Sequence, residues 1–313
     1  MAYLRLIRYK NLLIIALFQI LLRYWLILPI LERHSIAPAL SHLQFALVVL
    51  ATLMLAAAGN VINDYFDIRI DTINRPDKVI IGRAIERRSA LMLHVILTLT
   101  GVFVGLYIAF AFRKESYALL FIGVPFLLWY YSTYFKRQML SGNIIVALLT
   151  ALVAYLVVSV EFAALEMQTG RQIIETEACS RAWFYTTGFA AFAFISTLLR
   201  EIIKDMEDTR GDREAGCRTM PIEIGATNCK IIVTLLTAFM LIVLWTSFGM
   251  FSWLQRVPYA APYFALMLTM PSIYVAYATF KAQDARQFHH ASSVCKLMML
   301  FGILFILLLG SSI

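Results

Sequence analysis

Residues 43–71 read LQFALVVLATLMLAAAGNVINDYFDIRID: an unbroken apolar run that ends abruptly in Asn63, Asp64, Asp67 and Asp71. A run of about 20 apolar residues is what a helix needs to cross roughly 30 Å of hydrocarbon. Carboxylates at its end cost several kcal/mol near lipid unless a cation or a cationic ligand compensates them. The same juxtaposition occurs once more, where the apolar stretch 183–203 leads into Lys204-Asp205-Met206-Glu207-Asp208-Thr209-Arg210-Gly211-Asp212. Two such clusters imply a divalent metal holding a phosphorylated substrate.

Outward from these stretches the chain is oily throughout. Of its 313 residues 61% are hydrophobic and only 15% charged, and the mean hydropathy is +0.77, which excludes an ordinary soluble domain. Apolar runs recur at 11–31, 43–62, 90–112, 117–135, 143–162, 183–203, 230–251, 257–280 and 293–312. The expectation is an all-α, polytopic membrane protein with nine spans. No Gly/Ser-rich linker divides it, so residues 1–313 read as one transmembrane domain. Of the 27 Lys and Arg, twenty fall on the side that carries the amino terminus, six on the other, and Arg23 lies within the first span. The positive-inside rule then places the amino terminus and both acid clusters in the cytoplasm, and the carboxyl terminus opposite. The plasma membrane is the expected location. The net charge of +8 sits on short loops beside spans, where anionic lipid headgroups account for it, and nucleic acid is not expected as a partner. Arg5, Arg8 and Lys10 before an apolar stretch resemble the opening of a signal peptide, but the stretch is too long and reads as a retained first span.

Cys179, Cys217, Cys229 and Cys295 are scattered and read as packing residues. His289 and His290, adjacent on a helix, point about 100° apart and make a poor metal pair. The stretch 161–182, with Glu161, Glu166, Glu175 and Glu177, reads as a solvated outer loop. The acid clusters follow the second and sixth spans, which suggests a duplicated four-helix unit with a ninth helix appended.

If the second span stays helical through its end, Asn60, Asn63, Asp64, Asp67 and Asp71 share an arc of roughly 100°. The same arithmetic groups Glu201, Asp205, Asp208 and Asp212 and turns Glu207 and Arg200 away; Gly211 is expected to end the helix early, ahead of Asp212. Two carboxylate-lined helix ends form a hard-oxygen site suited to Mg²⁺ bridged to phosphates. Arg75, Lys78, Lys204 and Arg210 are placed to pair with phosphate oxygens. Together they would stabilise a departing diphosphate.

At these residues the chain resembles the UbiA superfamily of intramembrane prenyltransferases. Asn63, Asp67 and Asp71 match its first motif, and Asn74-Arg75-Pro76-Asp77-Lys78 is similar to the stretch that follows it, with Val79 where that family often has proline. Asp205, Asp208 and Asp212, with Gly211, Gly216, Thr219 and Pro221, match the second motif. Arg8 and Asn11 resemble residues preceding the family's first span. Tyr131-Ser132, Lys136-Arg137 and Gly142-Asn143 resemble its loop between spans four and five, with a Tyr131–Lys136 spacing one residue longer than in many aromatic prenyltransferases. Residues 200–208 resemble most the digeranylgeranylglyceryl phosphate synthase branch.

The resemblance implies nine helices around a central cavity and a polyprenyl diphosphate donor ionised with Mg²⁺. In that reading Asn63, Asp67, Asp71, Asp208 and Asp212 are metal ligands. Asp64, Asp205, Tyr131 and Lys136 are catalytic, and Tyr130 and Tyr134 compete with Tyr131 for the place facing the site. Arg8, Asn11, Asn60, Arg75, Lys78, Arg200 and Lys204 bind substrates, with Arg8 and Arg200 placed for an acceptor that carries a phosphate. The acceptor is a lipid, the hydroxyl of geranylgeranylglyceryl phosphate, or in the rival reading an aromatic quinone precursor such as 4-hydroxybenzoate or a naphthoate. A cation-coupled transporter would instead place acids near mid-span. A phosphotransferase acting on CDP-activated alcohols would need an Asp-Gly-x-x-Ala-Arg run, which is absent.

Overall fold

A computed structural model describes residues 1–312. Among them nine helices are long and apolar enough to cross a membrane: α1 (Tyr9–Arg33), α2 (His42–Phe66), α3 (Arg87–Ala111), α4 (Glu115–Arg137), α5 (Ser141–Thr169), α6 (Glu177–Glu214), α7 (Gly225–Met250), α8 (Ala260–Lys281) and α9 (Ala285–Gly310). The expected all-α polytopic architecture is the observed one.

Local chemistry explains where these helices begin and bend. Ser41 opens α2 with a capping box: its hydroxyl accepts from the Gln44 N–H at 3.1 Å, and the Gln44 side chain accepts from the Ser41 N–H at 3.0 Å. Asp284 caps α9 by accepting from the Gln287 N–H. Both α1 and α8 widen by a partial turn, over Leu22–Ile27 and Phe264–Thr269. Pro29 and Pro271 follow these widened turns. Each proline lacks an N–H and crowds the carbonyl four residues earlier, Trp25 and Met267, which lie inside them.

Two helices are longer than their sequences suggest. α5 continues to Thr169, so much of the stretch read as a solvated loop over 161–182 is helix, and Glu161 is 0% exposed. Its carboxylate accepts from Arg23 Nε at 2.7 Å. The Arg23 guanidinium also donates to the Leu40 carbonyl and sits 5.1 Å from the Tyr24 ring centre and 4.8 Å from that of Phe45. An acid inside the hydrocarbon region is tolerated here because a buried cation pairs with it. α6 runs unbroken through Gly211 to Glu214, against the expectation of an early end.

The large exposed side chains of α3, α4 and α7, among them Phe103, Phe110, Leu119, Phe126 and Leu235, face outward, as a lipid-facing surface requires. Inside, small residues bring helices close. A Cβ on Gly105 would stand 2.1 Å from the Phe121 ring, and one on Gly302 2.1 Å from that of Phe192. α1, α2, α4, α5, α6 and α9 surround a central cavity, and α3, α7 and α8 contribute no lining among the described residues. α3 packs outside α2 and α4, while α7 and α8 pack outside α6 and α9.

Candidate active site

The cavity measures about 960 Å³. Its inner part is apolar, walled by Ile15, Phe18, Leu55, Phe121, Leu156, Phe189, Phe192 and Ile303; its outer part is charged. Sixteen of the residues singled out for the site line it: Arg8, Asn11, Asn60, Asn63, Asp64, Asp67, Asp71, Arg75, Lys78, Tyr131, Lys136, Arg200, Lys204, Asp205, Asp208 and Asp212. Arg210, expected to meet phosphate with them, is instead exposed outside the cavity and pairs with Glu214 one turn on. Tyr131 is the tyrosine on the wall; Tyr130 and Tyr134 are exposed away from it.

The first acid cluster keeps its helical stacking even though α2 stops. The chain turns at Asp67 and resumes as the short helix Ile68–Asn74. The bonds Asp67 N–H to Asn63 O (3.0 Å), Asp71 N–H to Asp67 O (2.8 Å) and Arg75 N–H to Asp71 O (2.8 Å) carry the four-residue repeat across the break. Asn63, Asp67 and Asp71 therefore remain on one face. Asn63 Nδ2 donates to Asp67 at 2.8 Å, and Lys136, in the tighter turn Phe135–Arg137 that closes α4, donates to the same carboxylate and to Asn63 Oδ1.

The two clusters are joined by a clasp that sequence reasoning did not assign. Asn74 Nδ2 donates to the Asp208 carbonyl at 3.0 Å, and Asn74 Oδ1 accepts from the Gly211 N–H at 2.8 Å. A Cβ on Gly211 would stand 2.6 Å from the Asn74 amide, so only glycine lets the two segments approach this closely. Arg75 spans the same gap, donating to Asp208 and to Glu207, both at 2.7 Å. Glu207, expected to turn away, does not line the cavity; it receives Arg75 and also His289 Nδ1 at 2.9 Å. Arg200, expected to turn away, lines the cavity and pairs with Glu201 at 2.7 Å.

Other residues completing the site are Asn143, whose Nδ2 donates to Asp205 at 2.8 Å, and Lys296 of α9, which donates to Asn11. Asn143 carried a signal as part of the Gly142-Asn143 pair. Lys296 carried only the unusual presence of a lysine inside an apolar run.

Among the described residues no three carboxylates, histidines or cysteines converge tightly enough to hold a metal as they stand. Cations are interposed: Lys136 on Asp67, Arg75 on Asp208 and Arg8 on Asp64. The donor set still fits a hard divalent cation, being aspartates and an asparagine from two segments. Asp71 supplies a further indication. It lines the cavity with no ion pair among the described residues, and burial followed by the neighbouring Asp67 charge pushes its carboxyl up to about 6. A half-buried carboxylate next to another acid is short of positive charge.

Comparison with known proteins follows the same lines. A model of the UbiA prenyltransferase family matches residues 16–306. Digeranylgeranylglyceryl phosphate synthase of Korarchaeum cryptofilum (strain OPF8) is 31% identical over 253 residues, 80% of this chain and 80% of that protein. A solved structure described for digeranylgeranylglyceryl phosphate synthase in membranes aligns with a TM-score of 0.61 at 24% identity, covering 100% of this chain and 98% of the other. A UbiA homolog from Archaeoglobus fulgidus bound to GPP and Mg²⁺ aligns with a TM-score of 0.55 at 17% identity, covering 98% and 99%. These structural likenesses show a shared fold.

Proposed function

The chain belongs to the UbiA prenyltransferase family, and on that footing we propose that it transfers a geranylgeranyl group from its diphosphate to the free hydroxyl of geranylgeranylglyceryl phosphate. The observation that carries this reading is the cavity itself: an apolar interior closed at one end by aspartates from two chain segments clasped together through Asn74. The Korarchaeum relative is named for the product of such a transfer. The protein is an integral membrane enzyme, and the distribution of Lys and Arg supports a plasma-membrane orientation with the amino terminus and the charged mouth in the cytoplasm.

Asp67, Asp71, Asp208 and Asp212, with Asn63, would hold Mg²⁺, which when bound acts as a Lewis acid on the diphosphate. Arg75, Lys78 and Lys136 neutralise the charge that builds on the diphosphate as its bond to the allylic carbon breaks. Lys136, in contact with Asp67, would be available to phosphate oxygen once that carboxylate held the metal. The allylic cation is left in a cavity whose apolar walls exclude water. Tyr131 lies among Lys136, Glu201, Asp67 and Asp205, and its ring face adds roughly 0.5 to 2 kcal/mol of attraction for that cation. The acceptor hydroxyl then attacks the allylic carbon and gives up its proton. Asp64, already engaged by Arg8 at 2.6 Å, is poorly disposed to take that proton, which leaves a diphosphate oxygen as the favoured base.

Purified protein with Mg²⁺ and labelled geranylgeranyl diphosphate is expected to label geranylgeranylglyceryl phosphate and not 4-hydroxybenzoate. Asp67→Ala and Asp208→Ala are each expected to lower turnover by at least about 100-fold, the scale of losing electrostatic stabilisation of a leaving group. Undiminished turnover in both variants would overturn the metal site. Labelling of the aromatic acceptor alone would move the chain to quinone biosynthesis.

A further inference from the structure

Eight carboxylates and eight cationic side chains line the cavity, but they are not evenly mixed. Around Asp67, Asp71, Asp208 and Asp212 the engaged cations are Arg75 and Lys136. Where α6 and α9 face the start of α1 the balance reverses, with Arg8, Arg200, Lys204 and Lys296 against Asp64 of α2 and Glu201 and Asp205 of α6; Asp205 accepts from Asn143. Asp64 is taken by Arg8, and Glu201 is shared between Arg200 at 2.7 Å and Lys204 at 3.1 Å. Lys296 has no carboxylate within ion-pair distance among the described residues. Its ammonium donates to Asn11 Oδ1, a neutral acceptor, and the charges that act on it are Arg200, Lys10 and Arg8, all positive. A half-buried ammonium inside a membrane helix, surrounded by like charge, is costly unless an anion joins it. Arg200 precedes Asp208 by eight residues, about 12 Å along α6, so the Arg200 part of this cationic wall lies deeper than the carboxylate end, with Arg8 on Asp64 at its near edge.

We propose that Lys296, Arg200, Arg8 and Asn11 form a second anion site that seats the phosphomonoester of the acceptor, while the carboxylate end holds the donor's diphosphate with Mg²⁺. This rests on the acceptor being a glycerol phosphate. In glycerol phosphate only a few bonds separate the phosphate from the free hydroxyl, and long cationic side chains bridge the remaining distance between the two stations. Fixing the phosphate on the deeper wall leaves the hydroxyl as the acceptor group nearest the reacting carbon. It also keeps the acceptor's charge from competing with the diphosphate for the metal.

Binding of two unreactive lipids tests the site: geranylgeranylglyceryl phosphate with its free hydroxyl methylated, and the same lipid without its phosphate. The wild-type full chain is expected to bind the phosphate-bearing lipid about tenfold or more tightly than the neutral one, the scale of charge-assisted contacts. Lys296→Gln is expected to abolish that preference while binding of geranylgeranyl diphosphate with Mg²⁺ is retained, which also reports an intact fold. Lys296→Arg is expected to keep both. Equal binding of the two lipids by the wild type overturns the site, as does a Lys296→Arg variant that binds the donor but has lost the preference. So does a Lys296→Gln defect confined to the diphosphate, since the anion seated there would then be the donor's. If the phosphate-bearing lipid binds in a Lys296-dependent way to a protein that transfers only to 4-hydroxybenzoate, the anion site stands and the acceptor reading of the preceding subsection falls.

Discussion

At Asp71 protons and metal compete for one carboxylate. Its carboxyl is raised from 3.8 to about 6, by burial first and by Asp67 second. Between those values the folded, metal-free chain keeps a proton that the unfolded chain has released, so Asp71 favours folding as pH falls through about 6 and disfavours it as pH rises. Mg²⁺ requires the ionised form and reverses that preference. The concentration of Mg²⁺ needed for half-saturation, measured by calorimetry, is therefore expected to rise about tenfold from pH 7 to pH 5, with proton uptake by buffer on binding near pH 6. Asp71→Asn is expected to bind Mg²⁺ weakly at both values and to flatten this dependence; an unchanged slope would remove Asp71 from the metal site. Asn74 and Gly211 make a second residue-scale case. Gly211→Ala places a methyl 2.6 Å from the Asn74 amide and breaks two hydrogen bonds joining the acid clusters. A loss of about 1 to 3 kcal/mol is expected in thermal unfolding, with a weaker Mg²⁺ response; a variant with wild-type values on both counts would show that the clasp is incidental.

Among the elements, α1 and α5 are tied by one ion pair, Arg23 with Glu161, 1% and 0% exposed. Removing one partner strands the other in a dry environment, whereas replacing both with apolar residues strands neither. Arg23→Leu alone is expected to destabilise by about 3 to 5 kcal/mol, and Arg23→Leu with Glu161→Leu to recover most of that loss, read from unfolding in detergent; a double variant as unstable as the single one would mean that the pair supplies specific geometry. This pair also shows where sequence reading stops. Spans announce themselves by apolar length, and the stacking of Asn63, Asp67 and Asp71 follows from a four-residue spacing that survives the turn at Asp67. The extent of α5 did not announce itself, because Glu161 looks like the start of a solvated loop until its partner, 138 residues away, is known. The same holds for Arg200 and Glu207, whose directions on an isolated helix say nothing of Glu201, Arg75 or His289 beside them. Lys296 was invisible for a related reason: a lone lysine near the start of an apolar run gains meaning only when Asn11 and Arg200 are brought against it.

For the molecule as a whole, the buried pair between α1 and α5 sets a timing problem during synthesis. Arg23 leaves the ribosome 138 residues ahead of Glu161. At about 5 to 20 residues per second the delay between them is roughly 7 to 28 s. Throughout that interval α1 must stay lodged in the bilayer with its guanidinium uncompensated, at a cost of about 2.5 to 3.5 kcal/mol for an arginine at helix centre. The Leu40 carbonyl and the rings of Tyr24 and Phe45, all encoded within a few dozen residues of Arg23, are what the nascent chain has to hold it there. The aromatic and carbonyl cradle around Arg23 is thus a provisional counterpart, in place long before the permanent one is translated.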